Sequence, residues 1–538
     1  MKLIIFIGVT ALAVVLAAPA ILSGESAPNS GADPAERDFT LRESRRAIEL
    51  LFDGQSDTAM AFMDSLEGQC GHSPLFYLTR ARLHREFLPV DDEHKDAIAE
   101  SAAALYADLD ACVATCTERI EAGDDDARLY LYRGWAWMFK SHVRTYARSM
   151  WTAGKEAKKG KNDLEHYLEL HPNDPIANSI MGAFLYFADT LPAAYRFVSK
   201  LLFLPGGDRD RGLRMMELAV GWDSLVEMDN RLVLYSVYIG FEGRYEEGVE
   251  GFDYLHRTHP NHATFMRPAG VMMPLKPRYV RSDRDSLDVV IERYGAMSPE
   301  QQERATYWLL RFARAYADRF YDPVSAIDGF ESVIQGNPEH PDWIRGFAAF
   351  ELGRLQAALG DAEEAKRAFL LVTNDPRAGN MHGEANDMIK AMNDWDGART
   401  APDTDLIPKL YTGDVSDAEG AAKELAAIEQ PTAAQLFYLG EAYLAAGDAS
   451  AAIAAYVRSL AHDAPLWDDS YRLVAGTRAG ELTGAAGSYE AAAEYFRRAR
   501  ELWHREFLYD WLIEGRRRYF ERLASGEEFP PYRWFAAR

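Results

Sequence analysis

Three histidines lie close together in the sequence, at His256, His259 and His262. Imidazole nitrogens are common zinc ligands, and this trio would hold zinc if a fourth ligand or a water completed a tetrahedral site. Histidines in the last turn of a helix are also stabilised by the helix dipole without any metal. Because the spacing indicates no fourth ligand, we predict no metal site here.

Two further polar segments have structural explanations. A phosphate-binding loop needs a preceding strand and Lys-Ser or Lys-Thr after its glycines, and Gly206-Gly207-Asp208 has neither. We expect Asp208 to cap the helix that follows by accepting backbone N–H groups. The run from Asp124 to Asp126 lacks the alternating ligands and closing Glu of a calcium loop, so it indicates a helix start.

Motifs of the common hydrolases are also absent from the sequence. It contains neither the His-Glu-x-x-His helix of zinc peptidases nor the Gly-x-Ser-x-Gly turn of serine hydrolases. We therefore predict no catalytic residues and no cofactor. An enzyme with an unrecognised site is the third of the functions considered below.

Small and bulky residues recur at the spacing of helix-turn-helix repeats. In the clearest copy, Gly440 on a first helix allows the second helix to approach closely, and Tyr456 fills the space below it. The full copy reads Leu439-Gly440, Tyr443, Gly447, Ala452, Tyr456, Pro465. Other copies include Gly353, Gly360, Ala365, Phe369, Pro376 and Gly480, Gly487, Ala492, Phe496, Ala499. The pattern is typical of tetratricopeptide repeats and predicts an all-α solenoid of helical hairpins, a right-handed superhelix in two segments.

One repeat unit is expanded, with long helices at about 128 to 148 and 152 to 170. From Leu129 through Gly182 and Leu191-Pro192 to the Gly-Asp-Arg turn at Gly207 to Arg209, the sequence resembles the tetratricopeptide inclusion-body clearance family and related bacterial envelope repeat proteins. The resemblance covers residues 129 to 213. It implies an all-helical adaptor without catalytic residues, linked to lipid bodies or protein quality control.

The chain has 538 residues and a formal net charge of -24, with a mean hydropathy of -0.29. Such a charge disfavours nucleic acid and anionic membrane surfaces as main partners. Basic residues nevertheless cluster in two places. These are Arg144, Arg148, Lys155, Lys158, Lys159, Lys161 and Arg516, Arg517, Arg518, Arg522. A solvated helix face explains such clusters most simply, and an anion site is the alternative.

An apolar run from Leu3 to Leu22 follows Lys2 and contains Ala18-Pro19-Ala20. It indicates an export signal, with an uncleaved membrane anchor as the alternative. Glu25 stands where a lipoprotein would carry Cys, so lipidation is not expected. We therefore expect a protein of the periplasm or cell envelope, or one anchored to the inner membrane by this segment.

Three cysteines, Cys70, Cys112 and Cys116, are present. In an exported protein two of them would pair. A helical i, i+4 pair is poorly placed to bridge itself, which favours a disulfide between Cys70 and Cys116 with Cys112 buried. If the chain stays in the cytoplasm, all three are core thiols.

Loop-forming composition divides the remainder of the chain. The predicted order is a signal or anchor at 1–22, a flexible tether at 23–40, an N-terminal solenoid at 41–392, a linker at 393–417, C-terminal repeats with a capping helix at 418–525, and a tail at 526–538.

A solenoid offers a long grooved surface and no built-in reaction centre, so we predict a non-enzymatic scaffold of the bacterial cell envelope that binds a protein or peptide in its concave groove. The aromatic residues predicted to contact the partner are Tyr438, Tyr443, Trp308, Trp343 and Trp137. An acidic groove favours a basic or amphipathic partner. The alternative is a carrier or sensor of a lipid or other apolar ligand, held by the hairpin from Phe184 to Leu204.

Overall fold

The computed structural model consists of helices and short connections, and no strand occurs in the residues that it describes. These residues are 34–88, 101–146, 149–190, 206–222, 224–262, 281–296, 307–339, 343–379, 381–394, 402–411, 414–502 and 510–527. The expected all-α fold is therefore confirmed. Helix Tyr489–Arg500 shows why the sequence folds this way: Ala492, Phe496 and Ala499 are buried at helical spacing while the opposite face is charged.

The chain forms two compact units. Unit 1 comprises residues 1–237 and 251–262. Its helices are α1 Pro34–Phe52, α2 Ser56–Ser65, α3 Glu67–Cys70, α4 Pro74–Arg85, α5 Ala103–Glu121, α6 Arg128–Tyr146, α7 Met150–Leu170, α8 Pro175–Thr190, α9 Arg209–Leu218 and α10 Glu227–Val237. The two long helices α6 and α7 match the expanded unit predicted from the sequence and pack against each other along their length.

Unit 2 comprises residues 238–250 and 263–538. It begins with a π-helical turn at Tyr238–Glu242, followed by α11 Tyr245–Thr258, whose residues from Gly251 onward belong to unit 1. The next helices are α12 Arg281–Gly295, α13 Tyr307–Tyr321, α14 Pro323–Gly336, α15 Ile344–Ala358, α16 Ala362–Asn374 and α17 Met381–Asn393. After a 3-10 turn at Ile407–Tyr411 come α18 Val415–Ala426, α19 Ala433–Ala445, α20 Ala449–Leu460, α21 Asp469–Ala485, α22 Tyr489–Arg500 and α23 Asp510–Ala524.

Glycine contacts hold the hairpins of unit 2 together as predicted. A Cβ atom added to Gly440 on α19 would lie 2.4 Å from the ring of Tyr456 on α20. The same relation joins Gly353 to Phe369, at 2.7 Å, and Gly480 to Phe496, at 2.5 Å. Because three hairpins share this small-to-bulky contact, the tetratricopeptide-type packing inferred from the sequence is present in the structure.

A glycine with positive φ makes the turn inside each of these hairpins, at Gly360, Gly447 and Gly487. Gly447 between α19 and α20 has φ +88°, a left-handed conformation that a side chain would strain. Asp448 follows, and its carboxylate accepts a hydrogen bond from the backbone N–H of Ala451 at 2.9 Å. This arrangement ends one helix and starts the next within two residues.

The division between the two compact units falls between residues 237 and 263. The 3-10 turn within the predicted linker packs inside unit 2 through the buried side chains of Ile407 and Leu410. The other predicted domain boundaries stay predictions. Residues 1–22 and 528–538 lie outside the described residues. Within the described part of the chain, no helix combines the length and apolar character needed to cross a bilayer.

Replacing Gly440 by Ala should destabilise the protein by about 1–3 kcal/mol, because the new methyl group overlaps the Tyr456 ring and the hairpin must shift. Gly420 in α18 is the matched control, since a Cβ atom added there would have no neighbour within 4 Å. There Ala should be neutral or stabilising by up to ~1 kcal/mol through helix propensity. Urea denaturation of both variants measures the difference, and equal stabilities would contradict the packing described.

Candidate interaction surfaces

In unit 2, four glycines that make close packing contacts are each followed by a charged residue that the structure buries. Arg354, Glu441, Glu481 and Arg516 follow Gly353, Gly440, Gly480 and Gly515, and their exposed fractions are 1%, 4%, 1% and 0%. One residue after the glycine, the helix has turned by about 100°. These side chains therefore lie on the face beside the hairpin contact, where a tetratricopeptide array would hold a partner.

The carboxylate of Glu441 is the centre of this face. Its oxygens accept hydrogen bonds from Arg478 Nε at 3.0 Å, Tyr456 OH at 2.7 Å and Tyr411 OH at 3.2 Å. Burial alone lowers the pKa of Arg478, but Glu441 and the surrounding tyrosines raise it, so the guanidinium stays charged. Burial and then Glu441 raise the pKa of Tyr456, which keeps its hydroxyl a donor.

The chain itself closes this face of α19 and α21. Tyr321, at the end of α13, accepts a hydrogen bond from Arg478 Nη2 at 3.2 Å, and its ring meets that of Tyr411 at 4.9 Å. Beside them, the ring of Phe320 packs against Phe437 and Tyr471 at 5.8 and 5.5 Å. A peptide therefore cannot lie along this face unless those residues move.

A second ion pair joins α21 to the last helix. Arg516 on α23 donates two hydrogen bonds to Glu481, at 2.7 and 2.9 Å, and two to Glu246, at 3.2 and 3.4 Å. Its third contact is the carbonyl oxygen of Gly243. In the same segment Tyr245 donates to the Leu512 carbonyl at 2.7 Å. The segment 238–250 is thus fastened to α23 by charged and neutral hydrogen bonds.

Ion pairs and hydrogen bonds also connect α15 to α13 and α21. Glu351 is paired with Arg319 on α13, and Arg354 donates to Glu351 at 3.5 Å and to Ser470 on α21 at 2.9 Å. Sequence reasoning missed this network. The available signal was the charge that directly follows Gly353, Gly440, Gly480 and Gly515.

The aromatic residues predicted to contact a partner divide into two groups. Tyr438 and Trp343 are buried: the Tyr438 ring packs against Phe437 and Tyr471, and Trp343 packs against Phe347. Neither offers a surface to a partner, which corrects the expectation. Both rings are part of the hydrophobic core because they face neighbouring helices and not solvent. Tyr443, Trp308 and Trp137 are half-buried and keep an accessible edge.

Trp137 lies in unit 1 among cations. Lys159 of α7 is 4.0 Å from the centre of its ring, and Lys140 is 4.9 Å away. Cation–π contacts of this kind contribute about 0.5–1 kcal/mol each. Lys159 is exposed, whereas Lys140 is buried and pairs with the exposed Asp110, so both signs of charge lie close to Trp137.

The two basic clusters named from the sequence differ in pairing. Arg517 and Arg518 both bind Glu514 at 2.8 Å, and Arg522 binds Glu242 at 2.8 Å, so with Arg516 the C-terminal cluster is satisfied internally. In the other cluster Lys161 pairs with Glu165 and Arg144 lies 3.8 Å from Glu156. Lys155, Lys158 and Lys159 are exposed and form no ion pair with any residue that the structure describes. Arg148 lies outside the described residues.

Unit 1 also buries charge in its interior. Arg82 on α4 donates a hydrogen bond to Asp229 on α10 at 3.0 Å and another to Glu86, four residues later in the chain, at 2.6 Å. Nearby, burial lowers the pKa of His262 to about 4. Burial also lowers the pKa of His142, whose ring nitrogens have no hydrogen-bond partner among the described residues. Both imidazoles are therefore neutral at pH 7.

The predicted disulfide between Cys70 and Cys116 is not formed in the structure. Cys112 and Cys116 belong to the core around Trp135 and Tyr167, and Cys70 lies outside that cluster. Instead, the Cys116 and Cys112 thiols interact on one face of α5. Burial raises the pKa of Cys112, which makes it a poor nucleophile.

The polar segments first considered have structural roles. His259 and His262 pack against the ring of Phe52 at 5.5 and 5.6 Å. Asp208 caps α9 as predicted, by accepting from Arg211 N at 2.9 Å. Asp126 accepts from Arg128 N at 3.1 Å where α6 begins. No three His, Cys, Asp or Glu side chains are grouped to hold a metal in the described ranges.

Comparison with known proteins identifies no family. No family model matches the sequence, and no curated protein matches it. Among solved structures, a human IFIT1 dimer with PPP-AAAA is 16% identical, with a TM-score of 0.28, covering 80% of this chain and 94% of its own. Yeast Tom70 is 12% identical, with a TM-score of 0.26, covering 91% and 98%. We draw no functional argument from likenesses at these scores.

Removing one partner of the buried pair should be costly. Arg478→Met leaves the Glu441 carboxylate buried beside only neutral donors and should destabilise the protein by about 3–5 kcal/mol. The double variant Glu441→Gln, Arg478→Met should recover part of that loss, because no uncompensated charge remains. Arg497→Met is the control: its ion pair with Glu494 is exposed to solvent, so its loss should change stability far less than the loss of Arg478. Urea denaturation of all three tests the ranking, and an additive double variant would contradict it.

His262 should make stability depend on pH. Its pKa is about 4 in the folded protein, below the value of about 6.5 expected when unfolded. The unfolded state therefore binds the proton first, and stability present above pH ~6.5 falls as the pH drops toward 4. The full loss is up to about 3 kcal/mol. His262→Gln should flatten the slope of unfolding free energy against pH in this window, and an unchanged slope would refute the assignment.

Proposed function

We propose that this protein is a non-enzymatic helical-repeat scaffold that binds a protein or peptide partner. The carrying observation is that the first-helix face of unit 2 is filled by the chain's own ion pairs and aromatic rings. Buried charges held by several hydrogen bonds favour one arrangement of the helices, which suits a rigid frame. The partner surface is then assigned to the half-buried aromatic residues outside that interior.

The Glu441 cluster could resemble an active site, because a carboxylate, an arginine and several tyrosines meet there. Its groups are almost completely removed from solvent, and each already has protein partners. A substrate would have to displace Tyr321 and Tyr411 to reach Glu441. This burial supports a structural role for the cluster and a scaffold function for the protein.

The cellular location is part of the same proposal. An export signal at residues 1–22 places the chain in the periplasm or cell envelope, and an uncleaved anchor places it on the inner membrane. The resemblance of residues 129–213 to the inclusion-body clearance family and to bacterial envelope repeat proteins supports an adaptor role. The alternative, a lipid carrier, rests on a hairpin whose residues 191–204 lie outside the described residues.

Site-specific photo-crosslinking tests the proposal. A benzophenone side chain placed at Trp137, Trp308 or Tyr443 in the full-length protein should cross-link to a discrete protein in cells, because these edges remain accessible. Val324 and Leu371 are matched controls, since both are exposed apolar residues on the second helices α14 and α16. They should give no adduct of that mass.

The outcome that opposes the proposal is equally specific. If none of the three positions yields a protein adduct, while native mass spectrometry of protein from its own host shows a retained lipid, the carrier function replaces the scaffold. Circular dichroism of each variant confirms that the substitution leaves the helical fold intact.

A further inference from the structure

The N-terminal half of α7 carries an exposed surface that combines apolar and basic side chains. Met150 and Trp151 begin the helix as two adjacent large apolar side chains, 42% and 56% exposed. Lys155 follows one turn later with its ammonium 5.0 Å from the Trp151 ring centre. Lys158 and Lys159 extend the same exposed stripe.

Helical spacing places Trp151 and the three lysines on one side, with Met150 about 100° from Trp151 at the start of the helix. At about 100° per residue, Trp151, Lys155 and Lys158 fall within roughly 60° of one another, and Lys159 lies beside Lys155. The buried side of the helix, with Ala153, Gly160 and Leu164, packs against α6. Trp151, Lys155 and Lys158 therefore face away from the hairpin contact, and Lys159 lies at its edge, where its ammonium group is 4.0 Å from the ring centre of Trp137 on α6.

Charge on this stripe changes along the helix. Two acidic residues lie near it: Asp110 pairs with Lys140, and the largely buried Glu156 lies 4.0 Å from Lys140 and 3.8 Å from Arg144 and also interacts electrostatically with Lys159. Toward the C-terminal half, Glu165 binds Lys161 and Glu169 lies 3.9 Å from His166. Free positive charge is thus concentrated beside the apolar end.

We propose that Met150, Trp151, Lys155, Lys158 and Lys159 form a docking surface for an anionic lipid bilayer. This goes beyond the proposed scaffold function, because it uses different side chains and a different partner. Trp is favoured at the boundary between headgroups and acyl chains, and lysines next to it bind anionic headgroups. The end of α7 carrying Met150 and Trp151 enters the interface, with the lysines at headgroup level.

The net charge of -24 does not prevent this contact. Interactions between exposed charges fade beyond a Debye length of about 8–10 Å at physiological salt, so the local surface decides close binding. Each lysine near an anionic membrane contributes about 1 kcal/mol, which is roughly a fivefold change in affinity. Nucleic acid is the other polyanion that lysines bind, but phosphate contacts alone would not require exposed Met150 and Trp151.

Vesicle sedimentation with the full-length protein tests the docking surface. Vesicles of phosphatidylglycerol and phosphatidylcholine at a 3:7 ratio are compared with pure phosphatidylcholine, at low and physiological salt. The N-terminal apolar run would bind both kinds of vesicle, so the readout is the additional binding that phosphatidylglycerol causes. Lys155→Gln, Lys158→Gln, Lys159→Gln should reduce that component on the order of 100-fold.

A matched control carries the same change in net charge elsewhere. Lys366→Gln, Lys390→Gln, Lys423→Gln removes three lysines from α16, α17 and α18, and should leave the phosphatidylglycerol-dependent binding unchanged. Equal losses in both triple variants would show a general charge effect and overturn the proposal.

Insertion of Trp151 is measured separately by quenching of tryptophan fluorescence with brominated lipid. Trp151→Phe should remove most of the quenched signal, whereas Trp222→Phe, which replaces another exposed tryptophan in unit 1, should retain it. Unchanged quenching in Trp151→Phe would overturn the docking geometry. Lysine-dependent binding of a 20-nucleotide thymidine strand, with no vesicle binding, would assign the surface to nucleic acid instead.

Discussion

The buried carboxylate of Glu441 sets the strongest constraint on unit 2. An ionised carboxylate without partners in a protein interior costs several kcal/mol, so its position requires Arg478, Tyr456 and Tyr411 to meet around it. Those donors come from α21, α20 and the 3-10 turn at Ile407–Tyr411. One carboxylate thereby fixes three elements that simple hairpin packing would leave independent of one another.

Repetition spreads this constraint through the unit. The residue after the packing glycine is charged on α15, α19, α21 and α23, and each of these residues is paired across to another helix or segment. Apolar residues at these positions could fill the same space without requiring a particular partner at a particular distance and angle. The ion pairs instead require defined partners, which suits a scaffold that keeps its surface in one arrangement.

Charge is used differently on the two units. In unit 2 the arginines of the C-terminal cluster are neutralised by nearby carboxylates, so little basic surface remains there. In unit 1 three lysines of α7 stay exposed beside Trp151. This small basic and apolar surface would attract anionic partners, although the net charge of the protein is negative. The proposed membrane docking surface follows from this local distribution.

The sequence by itself determined the helical class and the hairpin contacts. Gly440 with Tyr456 and Gly480 with Phe496 were predictable because they depend on spacing within one hairpin, and the Asp208 cap depends on only three residues. Such contacts can be predicted from the sequence because all the residues that form them lie within one short segment.

Only the tertiary structure decided which aromatic and charged side chains are accessible. Tyr438 and Tyr443 stand on the same helix, yet contacts with Tyr471 of another hairpin bury the first while the second stays half-buried. Arg516 and Arg518 are two residues apart, and the distant Glu481 and Gly243 bury only Arg516. Partners far along the chain set these outcomes, because burial depends on which segments pack against a helix face and not on the residues within it.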